Sequence, residues 1–454
     1  MFQNKYVILI GKIRSMRHQI TQRAAVKSAV INSGWMLFDR IIRLIGGLFI
    51  GVWVARYLGP EHFGLFSTLL SIQGIAVTLC GVGFDGIITR YFIRYPHHSS
   101  VLLGTTVTIR AILGIVIGAV MLILIYFRPV AGVTVSIWAM MSISMFFTAF
   151  NALRQYYDSR GESKYVILPE LVAFGLSSGL RILGILYHFR LEWFVGIVLL
   201  EGMLGLIGYH WIYWRRHVNR VWTFRASIAR LLFRHSWPIL LTSGSAIIFF
   251  KIDQMILLSL VGSRETGIYS AAVRISEIAY FFPTILTTAV YPGLTKLRKI
   301  DRVRYESSLR RVFSIGMAVS YCIIIVVTLL SSWIISTLYG SDYIGSGPIL
   351  IVHIWSLICI CNLNISSIYI TNEGLTRHYI LKDAVSALCN IGLNLALIPY
   401  WNGLGSAIAT LVSYSITAFF ANAFIPQLRP LFKIQMDSLT LKGLWSTRNR
   451  RTSS

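Results

Sequence analysis

Eight ionisable side chains stand where a membrane protein least accommodates them. Asp39, Arg43, Arg110, Glu201, Lys251, Asp253, Arg274 and Glu277 all fall inside long apolar runs of the 454-residue chain. A charge at the centre of a bilayer costs at least about 2.5–3.5 kcal/mol, so such groups face a protein interior, a wet cavity or one another. Two spacings allow pairing on one helix face: Asp39 with Arg43 at i, i+4, and Arg274 with Glu277 at i, i+3. Arg110, Lys251 and Glu201 lie too deep to reach the headgroups and are expected to line a cavity. Arg40, about 100° around the helix from Asp39, is expected to extend toward the interface. The same holds for Arg181 and Glu170, near the ends of one apolar run.

The chemistry open to this set is ligand binding. Arginine presents a planar fork that grips phosphate or carboxylate through two hydrogen bonds, whereas lysine acts as a point charge. A wet, mainly cationic cavity predicts an anionic cargo: a phosphate, a carboxylate or an acidic sugar. Glu201, Asp253 and Glu277 suit a different task, holding a coupling proton or sodium ion, because burial raises a carboxyl pKa toward neutrality. The five cysteines (Cys80, Cys322, Cys359, Cys361 and Cys389) sit in apolar runs with no metal-type spacing to histidine. They read as small core residues, not disulfides, and neither a metal nor a bound cofactor is expected.

These charges must be positioned by membrane-spanning helices. The stretch from Ser28 to Ser67 holds the first of them in an apolar core long enough for one span of roughly 25 residues. It leaves through Arg56-Tyr57-Leu58-Gly59-Pro60, and a second apolar helix begins near Gly64. The layout returns 203 residues later: Gly59 matches Gly262, Gly64 matches Gly267, Ser67 matches Ser270 and Ser33 matches Ser236. The second copy again carries buried charge, Lys251 and Asp253. The chain therefore reads as a duplicated bundle.

Composition agrees. The chain is 55% hydrophobic and 13% charged, with mean hydropathy +0.67, which is the profile of a polytopic membrane protein. Its net charge of +25 would suggest nucleic acid in a soluble protein. Here it reads as topology, and no nucleic-acid partner is expected. The apolar pattern predicts twelve spans: 30–55, 64–87, 101–126, 133–153, 165–187, 192–214, 235–261, 266–292, 311–337, 347–370, 379–399 and 403–426. With the N-terminus inside, the cytoplasmic segments hold 32 Lys and Arg and the external loops only 4. That asymmetry predicts that both termini are cytoplasmic and that the two six-span halves are parallel. The expected organisation is a basic cytoplasmic segment (1–29), a six-helix lobe (30–214), a basic linker (215–234), a second lobe (235–426) and a basic tail (427–454). The short apolar run from Tyr6 to Ile10 is below the length of a signal-peptide core, so the first span is expected to stay in place.

Two motifs mislead. Gly81-Val-Gly83-Phe-Asp-Gly86 has the G-x-G-x-x-G form, but no strand precedes it, so it reads as close helix packing or the end of span 2. Asn364-Ile-Ser366 has the form of a glycosylation acceptor but falls inside span 10.

The sequence also resembles a known family. Asn32-Ser-Gly-Trp-Met-Leu-Phe-Asp39, followed by Val54-Ala-Arg-Tyr-Leu-Gly-Pro-Glu-His-Phe-Gly64, is similar to the opening signature of the polysaccharide flippases. These form the O-antigen (Wzx-type) branch of the superfamily that contains the multidrug MATE exporters. Ala289-Val-Tyr-Pro292 and the pattern Asn394-Leu-Ala-Leu-Ile-Pro399…Gly403-Leu-Gly-Ser-Ala-Ile-Ala-Thr410 extend the likeness over nearly the whole chain. The resemblance implies an all-α, twelve-span, two-lobed transporter of the bacterial inner membrane that works by alternating access and is not an enzyme. The implied cargo is an undecaprenyl-diphosphate-linked oligosaccharide, moved from the cytoplasmic to the periplasmic leaflet, with a polymerase and a chain-length regulator as pathway partners. Two alternatives stay open. A cation-coupled small-molecule exporter is disfavoured by an arginine-rich interior, which repels cationic drugs. A polymerase or ligase needs an external catalytic surface, and the longest external stretch, Leu338 to Ser346, offers one acid, Asp342.

Overall fold

The computed structural model describes residues 2–127, 131–216 and 221–441, and gives the backbone alone for residues 2–33, 238, 241, 242, 376–381 and 383. Arg128, linker residues 217–220 and the basic run Arg448 to Arg451 therefore lie outside the described residues. So do the side chains of the N-terminal basic segment.

Every regular element among the described residues is helical. In chain order these are α1 (Phe2–Gly81), α2 (Phe84–Arg94), α3 (Ser99–Phe127), α4 (Val135–Phe147), α5 (Ala152–Ser159), α6 (Lys164–Leu186), α7 (Leu191–Arg216) and α8 (Ala226–Leu260). They continue with α9 (Ser263–Ala279), α10 (Phe281–Ile300), α11 (Arg302–Leu338), α12 (Ser346–His353), α13 (Ser356–Asn372), α14 (Thr376–Ser415), α15 (Ala421–Phe424) and α16 (Arg429–Leu439). A bilayer core offers no water to unpaired backbone groups, and a helix satisfies them all internally. Nine segments of the described residues are long and apolar enough to cross a membrane. Two are of double length. Gly34–Arg94 spans 61 residues and bends at Gly59 and again after Gly81, while Ala384–Phe424 spans 41 and bends at Asn402, just past Pro399. Leu124, Phe127, Leu329 and Trp333 are exposed at the outer faces of these helices, as lipid contact requires. The protein is a multi-pass membrane protein.

The G-x-G-x-x-G stretch is the break between α1 and α2, where Val82 and Gly83 take positive φ. Cys80, Cys359 and Cys361 are buried as expected, whereas Cys322 is exposed on α11. Its apolar neighbourhood is an outer face, not a core.

The chain divides into two compact units, residues 1–50 with 80–237 and residues 51–79 with 238–454. In the first unit, α3 lies on α4 with almost nothing between the backbones. A Cβ at Gly114 would stand 2.4 Å from the Met145 carbonyl oxygen, and one at Gly118 would stand 2.7 Å from that of Ser142. Small residues four apart are how membrane helices approach without a hydrophobic driving force.

In the second unit the duplication is visible in the backbone. Gly59 (φ 70, ψ 169) and Gly262 (φ 112, ψ 179) occupy the same conformation, one that essentially only glycine adopts. Gly340 (φ 91, ψ −176) repeats it after α11. Each is followed five residues later by a second glycine: Gly64, Gly267 and Gly345. Gly64 meets the Ser263 carbonyl and Gly267 meets the Pro60 carbonyl, so the two matched turns pack reciprocally. The third joins them through Ser346, whose hydroxyl donates to the Ile268 carbonyl at 2.6 Å, and Tyr343, which donates to that of Ala55 at 2.7 Å.

The ends of α10 and α13 are tied by a bidentate pair, Arg298 to Glu373 at 2.6 and 2.9 Å. Hydrogen bonds from the guanidinium hold the Glu373 carboxyl below its ordinary value of 4.5, against the opposing effect of burial. A depressed carboxyl contributes stability above its unfolded pKa and loses it as pH falls through the folded one. Arg298→Ala should therefore lower the thermal midpoint at pH 7, and the difference from wild type should close below about pH 4. Thermal unfolding in detergent across that range checks it. A gap independent of pH would assign the loss to packing.

Candidate functional site

The first unit gathers its membrane charges into one network. Asp39 and Arg43 sit one turn apart on α1, and Arg43 Nε donates to Asp39 Oδ1 at 2.8 Å. Its two terminal nitrogens reach Glu201 Oε1 on α7 at 3.3 Å and Glu170 Oε2 on α6 at 3.6 Å. The guanidinium also lies 5.6 Å from the centre of the Phe174 ring. Glu201 is held further by Arg181 Nη2 and the Ser177 hydroxyl, both at 2.7 Å from Oε2. Glu170 takes Arg154 of α5 on both oxygens, at 2.7 and 2.9 Å. Arg154 in turn lies 3.9 Å from Asp158.

This differs from the sequence expectation in two ways. Arg181 and Glu170 do not extend to the interface; both turn inward, because each has an opposite charge within reach on a neighbouring helix. The cluster is also compensated and not mainly cationic. Arg43, Arg154 and Arg181 stand among Asp39, Asp158, Glu170 and Glu201, since a buried arginine is tolerable only when paired. Arg43 keeps substantial access, with 31% of its side chain exposed against 12% for Asp39 and 18% for Glu201, as does Arg154 at 37%. Arg40 is exposed.

Arg110 is elsewhere in that unit. It is 2% exposed, with Nη2 2.5 Å from Asp85 Oδ1, which also accepts from Gln155 at 2.7 Å. It sits in a packed interior and fastens α3 to the start of α2, so it lines no cavity here.

The second unit holds the remaining candidates. Lys251 Nζ on α8 is 3.2 Å from Glu277 Oε1 on α9, so Glu277 meets Lys251 although Arg274 has the helical spacing. The Arg274 guanidinium packs on the backbone of Gly51, where an added Cβ would stand 2.3 Å from Nη2. Asp253, 4% exposed, accepts from the Tyr269 hydroxyl and from the backbone N–H of Gln254. On the other side of Tyr269 lies α14, where a Cβ added at Gly403 would stand 3.4 Å from the Tyr269 Cβ. Ser406 donates to Asn394 Oδ1 at 2.8 Å, and Asn394 donates to Asn390 Oδ1 at 3.1 Å. Asp253 thus sits in a polar setting drawn from α8, α9 and α14. The sequence singled out Asp253 by its charge and missed the Tyr269, Asn390, Asn394 and Ser406 side chains around it. Their signal was only polar residues at helical spacing in spans 8, 11 and 12.

Among the described residues no group of His, Cys, Asp and Glu has a metal-site arrangement.

Comparison with known proteins places this geometry. The capsular polysaccharide biosynthesis protein CapF of Staphylococcus aureus is 25% identical over 181 residues, 39% of this chain and 45% of CapF. The match therefore spans less than half of that relative. A Shigella flexneri protein described as an O-antigen transporter is 21% identical over 333 residues, 70% of this chain and 78% of its own. The solved structure of the lipid II flippase MurJ, in an inward closed conformation, superposes with TM-score 0.68 and 18% identity over 92% of this chain and 93% of that one. At that identity the likeness establishes the fold alone. A family model described as polysaccharide biosynthesis protein matches residues 29–298, more than half of the chain and the whole stretch from Asp39 to Glu277, so this protein belongs to that family.

Proposed function

We infer that the protein is a transporter that moves a lipid-linked oligosaccharide across the membrane, with Arg43 as the group that meets the anionic part of the cargo. The observation that carries this reading is the condition of Arg43. It sits on a membrane helix, held by Asp39, Glu170 and Glu201, yet 31% of its side chain stays open. A diphosphate offers the fork the same bidentate partner as a carboxylate, with more charge, and can take over one of those contacts. A proton on Glu201 or Glu170 would loosen the existing hold, which links loading to a proton. Asp253, in its polar setting, is the corresponding candidate for a proton or sodium ion in the second unit. No cofactor is required. The names of CapF and the O-antigen transporter support a glycan cargo, and the MurJ fold supports a flippase.

The finer reading is an undecaprenyl-diphosphate carrier, moved from cytoplasmic to periplasmic leaflet of a bacterial inner membrane. Residues 30–214 and 235–426 would be the two halves of the transporter. A polymerase and a chain-length regulator would act on the product.

The test is deletion of the gene in its host, with the leaflet on which lipid-linked oligosaccharide accumulates as the readout. Complementation uses wild type, Arg43→Ala, Lys251→Ala, Arg274→Ala, Asp253→Asn and the charge-keeping Lys251→Arg, scored for surface polysaccharide against membrane protein level. We expect cytoplasmic accumulation, a loss of at least about tenfold in surface polysaccharide for well-expressed Arg43→Ala, and recovery with Lys251→Arg. Intermediates that cross normally and stay unpolymerised would replace this reading with an enzyme.

A further inference from the structure

The second unit holds a partly open cavity of about 360 Å³ that the charge networks do not use. Its size sits at the small end of the range for small-molecule sites. Aromatic faces from Phe249, Phe250 and Tyr414 form one part, with the Phe249 and Tyr414 rings 4.6 Å apart and Phe250 5.9 Å from Tyr414. Asn364, Ser386 and Thr417 line another part, and no charged side chain is among the described residues that line it.

The polar groups lean toward acceptors. Ser386 and Thr417 both donate to the Ser413 carbonyl, at 2.7 and 3.0 Å. The Asn364 amide nitrogen donates to the Ile360 carbonyl at 2.9 Å. The two hydroxyl protons are engaged within the helices, so Ser386 and Thr417 offer a guest acceptor lone pairs, while the Asn364 amide keeps a second N–H to donate. One neutral donor and no charge among the described lining residues disfavour a phosphate or carboxylate. Acceptors beside aromatic faces suit a neutral guest with hydroxyl protons to give and a face of C–H groups to lay on a ring, because the ring face is electron-rich.

From this cavity we propose a recognition site for a neutral pyranose of the cargo glycan, distinct in chemistry from the Arg43 network. The proposal rests on the glycan-transport reading and deepens it by separating sugar recognition from anion recognition. It adds a prediction that charge alone does not make: cargo choice should respond to substitutions at uncharged positions of α8, α10, α13 and α14.

The test uses full-length protein in nanodiscs and saturation-transfer-difference NMR with methyl glycosides of glucose, galactose and N-acetylglucosamine. Binding of glycan-free polyprenyl diphosphate is measured in the same preparation. We expect transfer to ring C–H protons for at least one glycoside. It should drop about tenfold in Phe250→Ala, the scale of one aromatic contact, and in the cavity-filling Thr284→Phe, with diphosphate binding kept in both. Glycoside transfer unchanged in both variants would overturn the proposal. Displacement of the glycoside by tetraphenylphosphonium at comparable affinity would also overturn it, in favour of an organic-cation site. A preparation that binds diphosphate but no glycoside sinks this site and leaves the transport reading standing. One that binds neither sinks both.

Discussion

Arg43→Ala will destabilise the protein as well as stop transport, and adding Asp39→Asn will restore the first without the second. Removing Arg43 leaves Asp39 facing its lost partner at 2.8 Å and strips one cation from Glu170 and Glu201. Breaking a buried pair by deleting one member costs about 3–5 kcal/mol, because the other charge stays behind without its solvent. The exposure of Arg43 places the loss at the low end, about 3 kcal/mol. Neutralising Asp39 as well leaves two complete pairs, Arg181 with Glu201 and Arg154 with Glu170, both at 2.7 Å. The double variant should then recover most of the thermal midpoint, so the coupling between the two positions is large and opposite in sign to the single losses. Surface polysaccharide should stay absent, because the guanidinium that meets the cargo is gone. Thermal unfolding and the complementation assay, run on the same two variants, separate the effects. If transport returns with stability, Arg43 is a structural pair and the cargo contact lies elsewhere.

Why the network was only half legible follows from what a sequence records. Asp39 and Arg43 are one turn apart on one helix, and helical periodicity alone brings them together. Arg154 and Glu170 lie 16 positions apart on α5 and α6, and nothing in their spacing announces a contact at 2.7 Å. Arg181 was placed by its distance from the end of an apolar run, a measure of depth that says nothing about direction; it turns inward because Glu201 is there. Arg274 and Glu277 show the converse limit, since i, i+3 permits a pair but cannot choose between Arg274 and Lys251. The Gly59 and Gly262 turns were legible because their flanks also match. The third, Gly340 with Gly345, keeps the two glycines between apolar flanks but stands outside the 203-residue repeat, so backbone conformation reveals what the repeat did not.

That reciprocal turn contact carries the second large expectation. Gly64→Ala and Gly267→Ala will each abolish transport and lower the thermal midpoint, although alanine is the better helix former by about 1 kcal/mol. A Cβ at Gly267 would stand 1.8 Å from the Pro60 carbonyl oxygen, and one at Gly64 would stand 1.9 Å from that of Ser263. Carbon and oxygen cannot approach so closely. Both neighbours are backbone, so no side-chain rotation relieves the clash and the two helix starts must separate. Separation also pulls on the hydrogen bonds of Ser346 and Tyr343 to Ile268 and Ala55, which the same approach holds in place. Gly392→Ala on α14, where an added Cβ meets nothing within 4 Å, is the control and should be neutral or slightly stabilising. Because Gly64 and Gly267 guard one approach from its two sides, the double alanine should cost little more than either single change. Additive losses in the double variant would mean that the two contacts are independent. A Gly267→Ala protein as stable and active as Gly392→Ala would mean that the close approach is dispensable.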